Sequence, residues 1–208
     1  MKLFLASSLY KTLPLLLKKT GKPAQELKVL FIANAADPFE HAPWVNLDMD
    51  MFKNSGCKII ETDLRKISAE EFAQQMKGAD ILHVCGGSVL YILWLLRKKE
   101  VFNTILNAVH QEKVLYTGTS AGSIIAAPSV QLYSYDPEER AVAKELQDFT
   151  GFGFVPFLIK PHVNREHHAD LMSFASRASE QPLPILLLHD SQAVWVENEK
   201  FELVSIKS

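Results

Sequence analysis

Gly118-Thr119-Ser120-Ala121-Gly122 fits the pattern G-x-S-x-G. It sets one hydroxyl between two residues that lack a Cβ, which suits a sharp reversal of the backbone. Val114 to Thr117 just before it is a short apolar, β-branched run and reads as a buried strand. Ser123 to Ala127 just after it are small and apolar, as in a helix packed tightly on a sheet. Strand, sharp turn and helix together push the serine out at the strand's carboxyl end as a nucleophile. The same turn aims the first helical N–H groups, Ala121's among them, at any oxyanion formed there. The chemistry would be acyl transfer through a covalent intermediate. The plainer alternative is a glycine-rich turn with an incidental serine.

A serine hydroxyl is a weak nucleophile until a base takes its proton, and the base is usually a histidine oriented by a carboxylate. Seven histidines are available: His41, His83, His110, His162, His167, His168 and His189. His83 falls inside a strand and reads as a satisfied core residue. His110 falls on a helix exterior. His167 and His168 open a helix, where adjacent side chains point about 100° apart. They are poorly placed to share an ion with His162, so no metal is expected. His162 directly follows the strand Phe154 to Ile159 and Lys160-Pro161, which puts it at a strand's carboxyl end with a proline stiffening its approach. Two carboxylates compete to orient it. Asp190 follows the strand Ile185 to Leu188. Asp136 lies in Ser134-Tyr-Asp-Pro137, where turn formation alone also explains it.

The elements that must position these groups alternate. Strands are expected at Lys2 to Ala6, Lys28 to Ala33, Cys57 to Glu61, Asp80 to Cys85 and Val114 to Thr117. Helices are expected at Leu9 to Lys19, Trp44 to Asn54, Ser68 to Lys77, Val89 to Lys98 and Val101 to Gln111. Pro14 limits where the first can begin, and Ser68-Ala-Glu-Glu71 resembles a capping box. Five alternations imply an α/β fold: a doubly wound, mostly parallel sheet with helices on both faces, and sites beyond the strands' carboxyl ends. Gly86-Gly87 and Gly118 to Gly122 both fall there. Later, Val130 to Tyr133 reads as a strand and Ala141 to Phe149 as a helix or loop. Glu166 to Ser179 reads as a helix, and Ala193 to Glu197 with Phe201 to Ile206 as a hairpin across Asn198-Glu199. With no repeat or linker, residues 1–208 read as a single domain.

Composition narrows the function. Hydrophobic residues make up 48% and charged residues 22%, an ordinary globular balance. A net charge of -2 gives no basis for nucleic acid or an anionic membrane as partner. No apolar run reaches the length of a membrane span. Met1 to Ala6 is too short for a signal peptide. Cys57 and Cys85 without such a signal suggest reduced thiols and a cytoplasmic location. No cofactor is expected.

These residues resemble the peptidase E (aspartyl dipeptidase) and cyanophycinase family over nearly the whole chain. The resemblance rests on Gly118-Thr-Ser-Ala-Gly122 followed by Pro128, and on the glycine turn Cys85-Gly86-Gly87-Ser88. It rests further on Pro161-His162 and on the acidic turn His189-Asp190-Ser191. It implies a fold akin to class I glutamine amidotransferases and a serine peptidase hydrolysing short, dipeptide-like substrates as a monomer or homodimer. Ser120 would be the nucleophile, His162 the base and Asp190 its orienter, with Asp136 as the alternative acid. N–H groups of Gly87 and Ala121 would form the oxyanion hole. Gly86, Ser88 and Arg165 would meet substrate. Cys85 and Ser88 replace the Gly and Asn usual in that glycine turn. The family's Arg-bearing segment, linked to selecting Asp-X dipeptides, is shortened here to Val163-Asn-Arg-Glu-His-His168, with Arg165 its one nearby counterpart. Two other functions compete: an α/β-hydrolase esterase, whose triad order Ser, acid, His fits Ser120, Asp136, His162, and a non-catalytic descendant that binds a ligand in the same crevice.

Overall fold

The computed structural model describes residues 1–164, 168–179 and 182–206, with residues 168–170 described by backbone alone. Five parallel strands form its centre: β1 (Lys2–Ala6), β2 (Lys28–Ile32), β3 (Lys58–Thr62), β4 (Ile81–Val84) and β5 (Leu115–Thr119). Near-continuous apolar runs are what a sheet covered on both faces requires, because alternate side chains enter different cores. Leu3, Leu5, Leu30 and Ile32 enter one core, beneath α3 (Ala69–Lys77), α4 (Val89–Lys98) and α5 (Phe102–His110). Phe4, Ala6, Val29 and Phe31 enter the other, beneath α1 (Leu9–Thr20) and α2 (Pro43–Asn54).

The sheet order is β3-β2-β4-β5-β1-β8-β9, where β8 (Gln192–Glu197) and β9 (Lys200–Ser205) join antiparallel. Asn198 and Glu199 both take positive φ, as the two-residue turn of their hairpin demands. The order makes β4, β5 and β1 neighbours, so Gly86-Gly87, Ser120 and Ser7 emerge side by side at one edge. A separate two-stranded parallel sheet pairs β6 (Leu158–Lys160) with β7 (Ile185–Leu187). His162 follows β6 and Asp190 follows β7 at the same end of that pair.

Several elements differ from the expectation. The first helix does start at Leu9 as expected, yet Pro14 does not limit its start and lies inside it; Pro14 is exposed, so the Tyr10 carbonyl left without a partner can meet water. Val130 to Tyr133 forms no strand. Gln131–Tyr135 is a 3₁₀ helix that buries Leu132 and Tyr133, and the Tyr133 hydroxyl donates to the Ile159 carbonyl at 2.6 Å. The strand expected from Phe154 begins only at Leu158. Phe152 and Phe154 instead donate their N–H groups to the carbonyls of Ile125 and Ala126 and pack their rings edge-on against Tyr116. The helix after Ser120 is the short α6 (Ala121–Ile124). Between Pro137 and Ala143 a 3₁₀ turn leads into α7 (Arg140–Ala143). Of the predicted 166–179 helix, α8 (His168–Ala178) is the described part. The capping box at Ser68 and Glu71 is formed as predicted.

The close approach of α6 to β4 depends on glycine. A Cβ on Gly122 would lie 2.0 Å from the Val84 carbonyl oxygen, and one on Gly118 would lie 2.3 Å from the Gly122 carbonyl carbon. Both contacts are with backbone, which cannot swing aside. Gly122→Ala is expected to lose about 3 kcal/mol or more of stability, the upper range for overpacking. Urea denaturation measures it; a loss under about 1 kcal/mol would show that α6 can shift freely.

Candidate active site

Ser120 sits between β5 and α6 with φ 49° and ψ -108°, a conformation that costs a non-glycine residue of order 1–3 kcal/mol. The turn is held from all sides. The Ser120 N–H donates to the Ala6 carbonyl at 3.0 Å. The Ser123 hydroxyl lies 2.8 Å from both the Ala6 and Gly118 carbonyls, and the buried Tyr116 hydroxyl donates to the Gly122 carbonyl at 2.6 Å. Ala121 opens α6, so its N–H has no partner within the helix. Among the described residues no acceptor meets the N–H of Ala121 or of Gly87. Gly87 adopts φ 146°, and a Cβ there would strike the Ala35 carbonyl oxygen at 2.1 Å.

The small sheet brings His162 and Asp190 together. His162 Nδ1 lies 2.6 Å from Asp190 Oδ1. Ser7 ties the pair to β1: its hydroxyl donates to Asp190 Oδ1 at 3.0 Å and accepts the His162 N–H at 2.9 Å. Lys11 and Asn164 each donate to Asp190 Oδ2 at 3.3 Å. The hydrogen bond from His162 holds the Asp190 carboxyl well below the usual carboxylate range, against the opposing effect of burial, and Asn164 and Ser7 add to it. The imidazole is 44% exposed while the carboxylate is 16% exposed. The ring can therefore reach a substrate, and the acid behind it is screened from water. Ser7 and Lys11 were not singled out from sequence.

Asp136 is engaged elsewhere. Both terminal nitrogens of Arg177 lie 3.2 Å from its Oδ1. Ser88, expected to meet substrate, is buried in the wall instead. It caps α4 by accepting the Tyr91 N–H at 3.1 Å and donates to Glu139 Oε2 at 2.6 Å. Glu139, also missed from sequence, accepts the N–H groups of Val89 at 2.6 Å and Leu90 at 3.2 Å. A carboxylate there complements the positive end of the α4 dipole and steadies the helix that follows the Gly86-Gly87 turn. Burial nevertheless raises its pKa, outweighing those bonds. The Gly86 carbonyl accepts Trp44 Nε1–H at 3.0 Å, and both residues line the crevice. Arg165 and His167 lie outside the described residues.

The crevice over Ser120 has two lobes that share Gly87, Ser120 and His162. A polar lobe of about 500 Å³ reaches Asp136, Glu138, Glu139 and Lys160. A lobe of about 260 Å³ reaches Tyr10, Phe39 and Trp44.

His83 is buried as expected but not satisfied. Its Nε2 is 3.4 Å from Asp48, and neither ring nitrogen has a hydrogen-bond partner. Among the described residues, Asp48, His83 and Cys85 are the one group of three possible metal donors, with donor atoms within 4.8 Å of one another. Burial, then the charge of Asp48, pushes the Cys85 thiol well up, which opposes the thiolate a metal needs. The Asp48 oxygens already accept the Tyr10 N–H at 2.9 Å and the Thr119 hydroxyl at 2.7 Å. The group thus reads as a packed polar node behind β5. No helix among the described residues is long and apolar enough to cross a membrane.

A mostly parallel sheet with helices on both faces, carrying a crevice at its strands' carboxyl ends, is here the framework of a hydrolase that acts on peptide bonds. The chain belongs to peptidase family S51, whose model matches residues 3–204, and it is a serine peptidase. It is 28% identical over 198 residues to an uncharacterized peptidase of Pasteurella multocida (strain Pm70), spanning 95% of this chain and 94% of that protein. Its fold is similar to the crystal structure of a "Putative Peptidase E Protein" from Listeria monocytogenes EGD-e, with TM-score 0.89 and 22% identity over 99% of this chain and 98% of that one. It is also similar to a peptidase from an acI-B1 Actinobacterium, with TM-score 0.69 and 19% identity over 99% and 87% of the two chains.

Two stability measurements probe the arrangement. The Asp190 carboxyl titrates lower in the folded state than its unfolded value of about 3.9. Its stabilising contribution is therefore present above the unfolded value and is lost as pH falls through the folded one. Asp190→Asn should flatten the acid side of the stability–pH curve, read from urea midpoints; an unchanged slope would mean that the contact to His162 contributes nothing in solution. Glu139→Ala leaves two N–H groups and a buried hydroxyl without their acceptor and should cost about 1–3 kcal/mol. Guanidinium unfolding reads that loss, and a neutral result would refute the capping role.

Proposed function

We propose that the protein hydrolyses short peptides, as a dipeptidase-like enzyme, through an acyl-enzyme on Ser120. His162 is the general base, Asp190 its orienter, and the N–H groups of Gly87 and Ala121 the oxyanion hole. The observation that carries the reading is the 2.6 Å contact of His162 Nδ1 with Asp190. It commits one ring nitrogen to the carboxylate and leaves Nε2 as the remaining base, on a ring that lines the same crevice as Ser120.

The Ser120 hydroxyl passes its proton to Nε2 as Oγ attacks the scissile carbonyl carbon. The carbonyl oxygen takes up the negative charge and is met by the two unpartnered N–H groups. The imidazolium gains stability from the ionised Asp190 beside it and then gives its proton to the departing amine. Water repeats the sequence on the ester and releases Ser120. Asp136 is set aside as the orienter because its oxygen is shared by Arg177. That pairing weighs against the Ser, acid, His order of an esterase.

Specificity for Asp-X is not part of this reading. A bidentate arginine clamp is what would hold an aspartate side chain. Arg177 is already held by Asp136, and the polar lobe carries Asp136, Glu138 and Glu139 beside Lys160. Weak or absent preference for Asp-X over Ala-X and Leu-X is expected from kcat/KM, and a strong Asp-X preference would refute it.

Ser120→Ala and His162→Ala should each lower kcat by about 10⁴- to 10⁶-fold, and the double variant little further, because the two act as a unit. Asp190→Asn should lower kcat by about 10⁴-fold at neutral pH, while Asp136→Asn acts mainly on KM. A fluorophosphonate probe should label the wild type at Ser120 and fail on Ser120→Ala. A wild type that takes up no label and turns over no dipeptide would favour the non-catalytic descendant.

A further inference from the structure

We propose that the smaller lobe is the subsite for an apolar side chain on the residue that departs as the amine, the second residue of a dipeptide, and that Phe39 is its selectivity wall. This rests on the hydrolytic reading above and adds the side-chain class it would take. The lobe is a cavity of about 260 Å³ opening beside Ser120 and His162. Phe39 and Trp44 meet edge to face, with centroids 5.5 Å apart and planes at 84°, and Tyr10 completes the aromatic lining. The polar edge of Trp44 is already used, since Nε1 donates to the Gly86 carbonyl. The indole is thereby fixed against the glycine turn.

Among the described residues that line it, the lobe offers no free charge. Asp48 reaches it, but that carboxylate is buried and accepts the Tyr10 N–H and the Thr119 hydroxyl. A cationic side chain would have to share oxygens that are already bonded, and an acidic one would meet a like charge. An apolar side chain only has to displace water from aromatic faces. The lobes also differ in a way that sets direction. The polar lobe carries charges of both signs at Asp136, Glu138, Glu139 and Lys160. The α-ammonium of a dipeptide lies on the acyl side of the scissile bond. The leaving residue carries the α-carboxylate instead; three acids against one lysine in the polar lobe favour the ammonium over the carboxylate, so the acyl residue occupies that lobe and the side chain of the leaving residue falls into the aromatic one.

The test separates binding from turnover. In the Ser120→Ala background, titration calorimetry with Ala-Phe, Ala-Leu, Ala-Gly, Ala-Asp and Phe-Ala reads the lobe directly. Ala-Phe and Ala-Leu should bind about tenfold or more tighter than Ala-Gly and Ala-Asp, the discrimination typical of an apolar pocket. Adding Phe39→Ala should reduce the Ala-Phe to Ala-Gly ratio to about threefold or less, and Phe39→Arg should move the preference toward Ala-Asp. Equal affinities, a preference for Phe-Ala over Ala-Phe, a ratio indifferent to Phe39, or no measurable binding of Ala-Phe would each overturn the assignment. Selective binding in Ser120→Ala with no turnover by the wild type would sink the hydrolytic reading and leave the subsite standing. Turnover with no second-position preference would do the reverse.

Discussion

The Ser7 hydroxyl is the joint on which the site depends. Ser120 is carried by the large sheet, at the end of β5, while His162 and Asp190 are carried by the small one, at the ends of β6 and β7. Asp190 also lies two residues before β8, which pairs with β1 in the large sheet, so the two sheets meet beside Ser7. Ser7 leaves β1, the neighbour of β5, and its hydroxyl both accepts the His162 N–H and donates to Asp190. One oxygen thereby fixes the backbone of the histidine and the side chain of its acid relative to the strand beside the serine. The bonds are buried or screened, where losing a partner costs more than the bond itself contributes. A small shift at this joint would be felt at the reacting atoms, where about 1 Å of misplacement costs of order a hundredfold in rate.

The serine side of the site is fixed by crowding rather than by a single bond. Gly118 and Gly122 let β4, β5 and α6 approach until backbone touches backbone, and Tyr116 and Ser123 then bond the turn's carbonyls. The unfavourable backbone conformation of Ser120 persists because the surroundings over-determine it. The glycine turn opposite is treated in the same way: Gly87 lies hard against Ala35, Trp44 holds the Gly86 carbonyl, and Glu139 caps the helix that follows. The N–H groups proposed for the oxyanion hole are thus held by parts that cannot relax toward them. Charge that develops on a substrate oxygen would meet donors already in place.

The parts legible in sequence were those with a local signature. The apolar runs of β1, β2 and β4 announce a covered parallel sheet, Ser68 and Glu71 announce their capping box, and the two glycines around Ser120 announce a tight turn. Asp190 and His162 could be placed at strand ends because strand direction alone puts them there. What could not be read was which strands pair. The β6–β7 sheet stands apart from the main one, and no pattern in two three-residue strands distinguishes joining from separating. Ser7, Lys11 and Glu139 were missed for the same reason: each acts across fifty or more residues of chain, through a bond with no local trace. Ser88 was misread because its hydroxyl could serve either substrate or helix, and the deciding partner, Glu139, is distant. Val130 to Tyr133 looked like a strand because β-branched and aromatic residues fit both states; the Tyr133 bond to Ile159 decided it.

The pairing of Asp136 with Arg177 has an effect on both sides of the crevice. It withdraws the one other acid that the sequence offered to His162, and it also withdraws a guanidinium that could have met an acidic substrate. A carboxylate entering the polar lobe would find Asp136, Glu138 and Glu139 there against the one cation Lys160 among the described lining residues. The same acids favour an ammonium. Substrate charge in this site is therefore governed by what the lobe repels as much as by what it attracts. The aromatic lobe, where Asp48 is the only carboxylate among the described lining residues and is buried and bonded, would on the proposed reading leave the other side of the scissile bond to be read by shape. On the reading proposed above, a fitting peptide places its ammonium in the acidic lobe and an apolar side chain in the aromatic one.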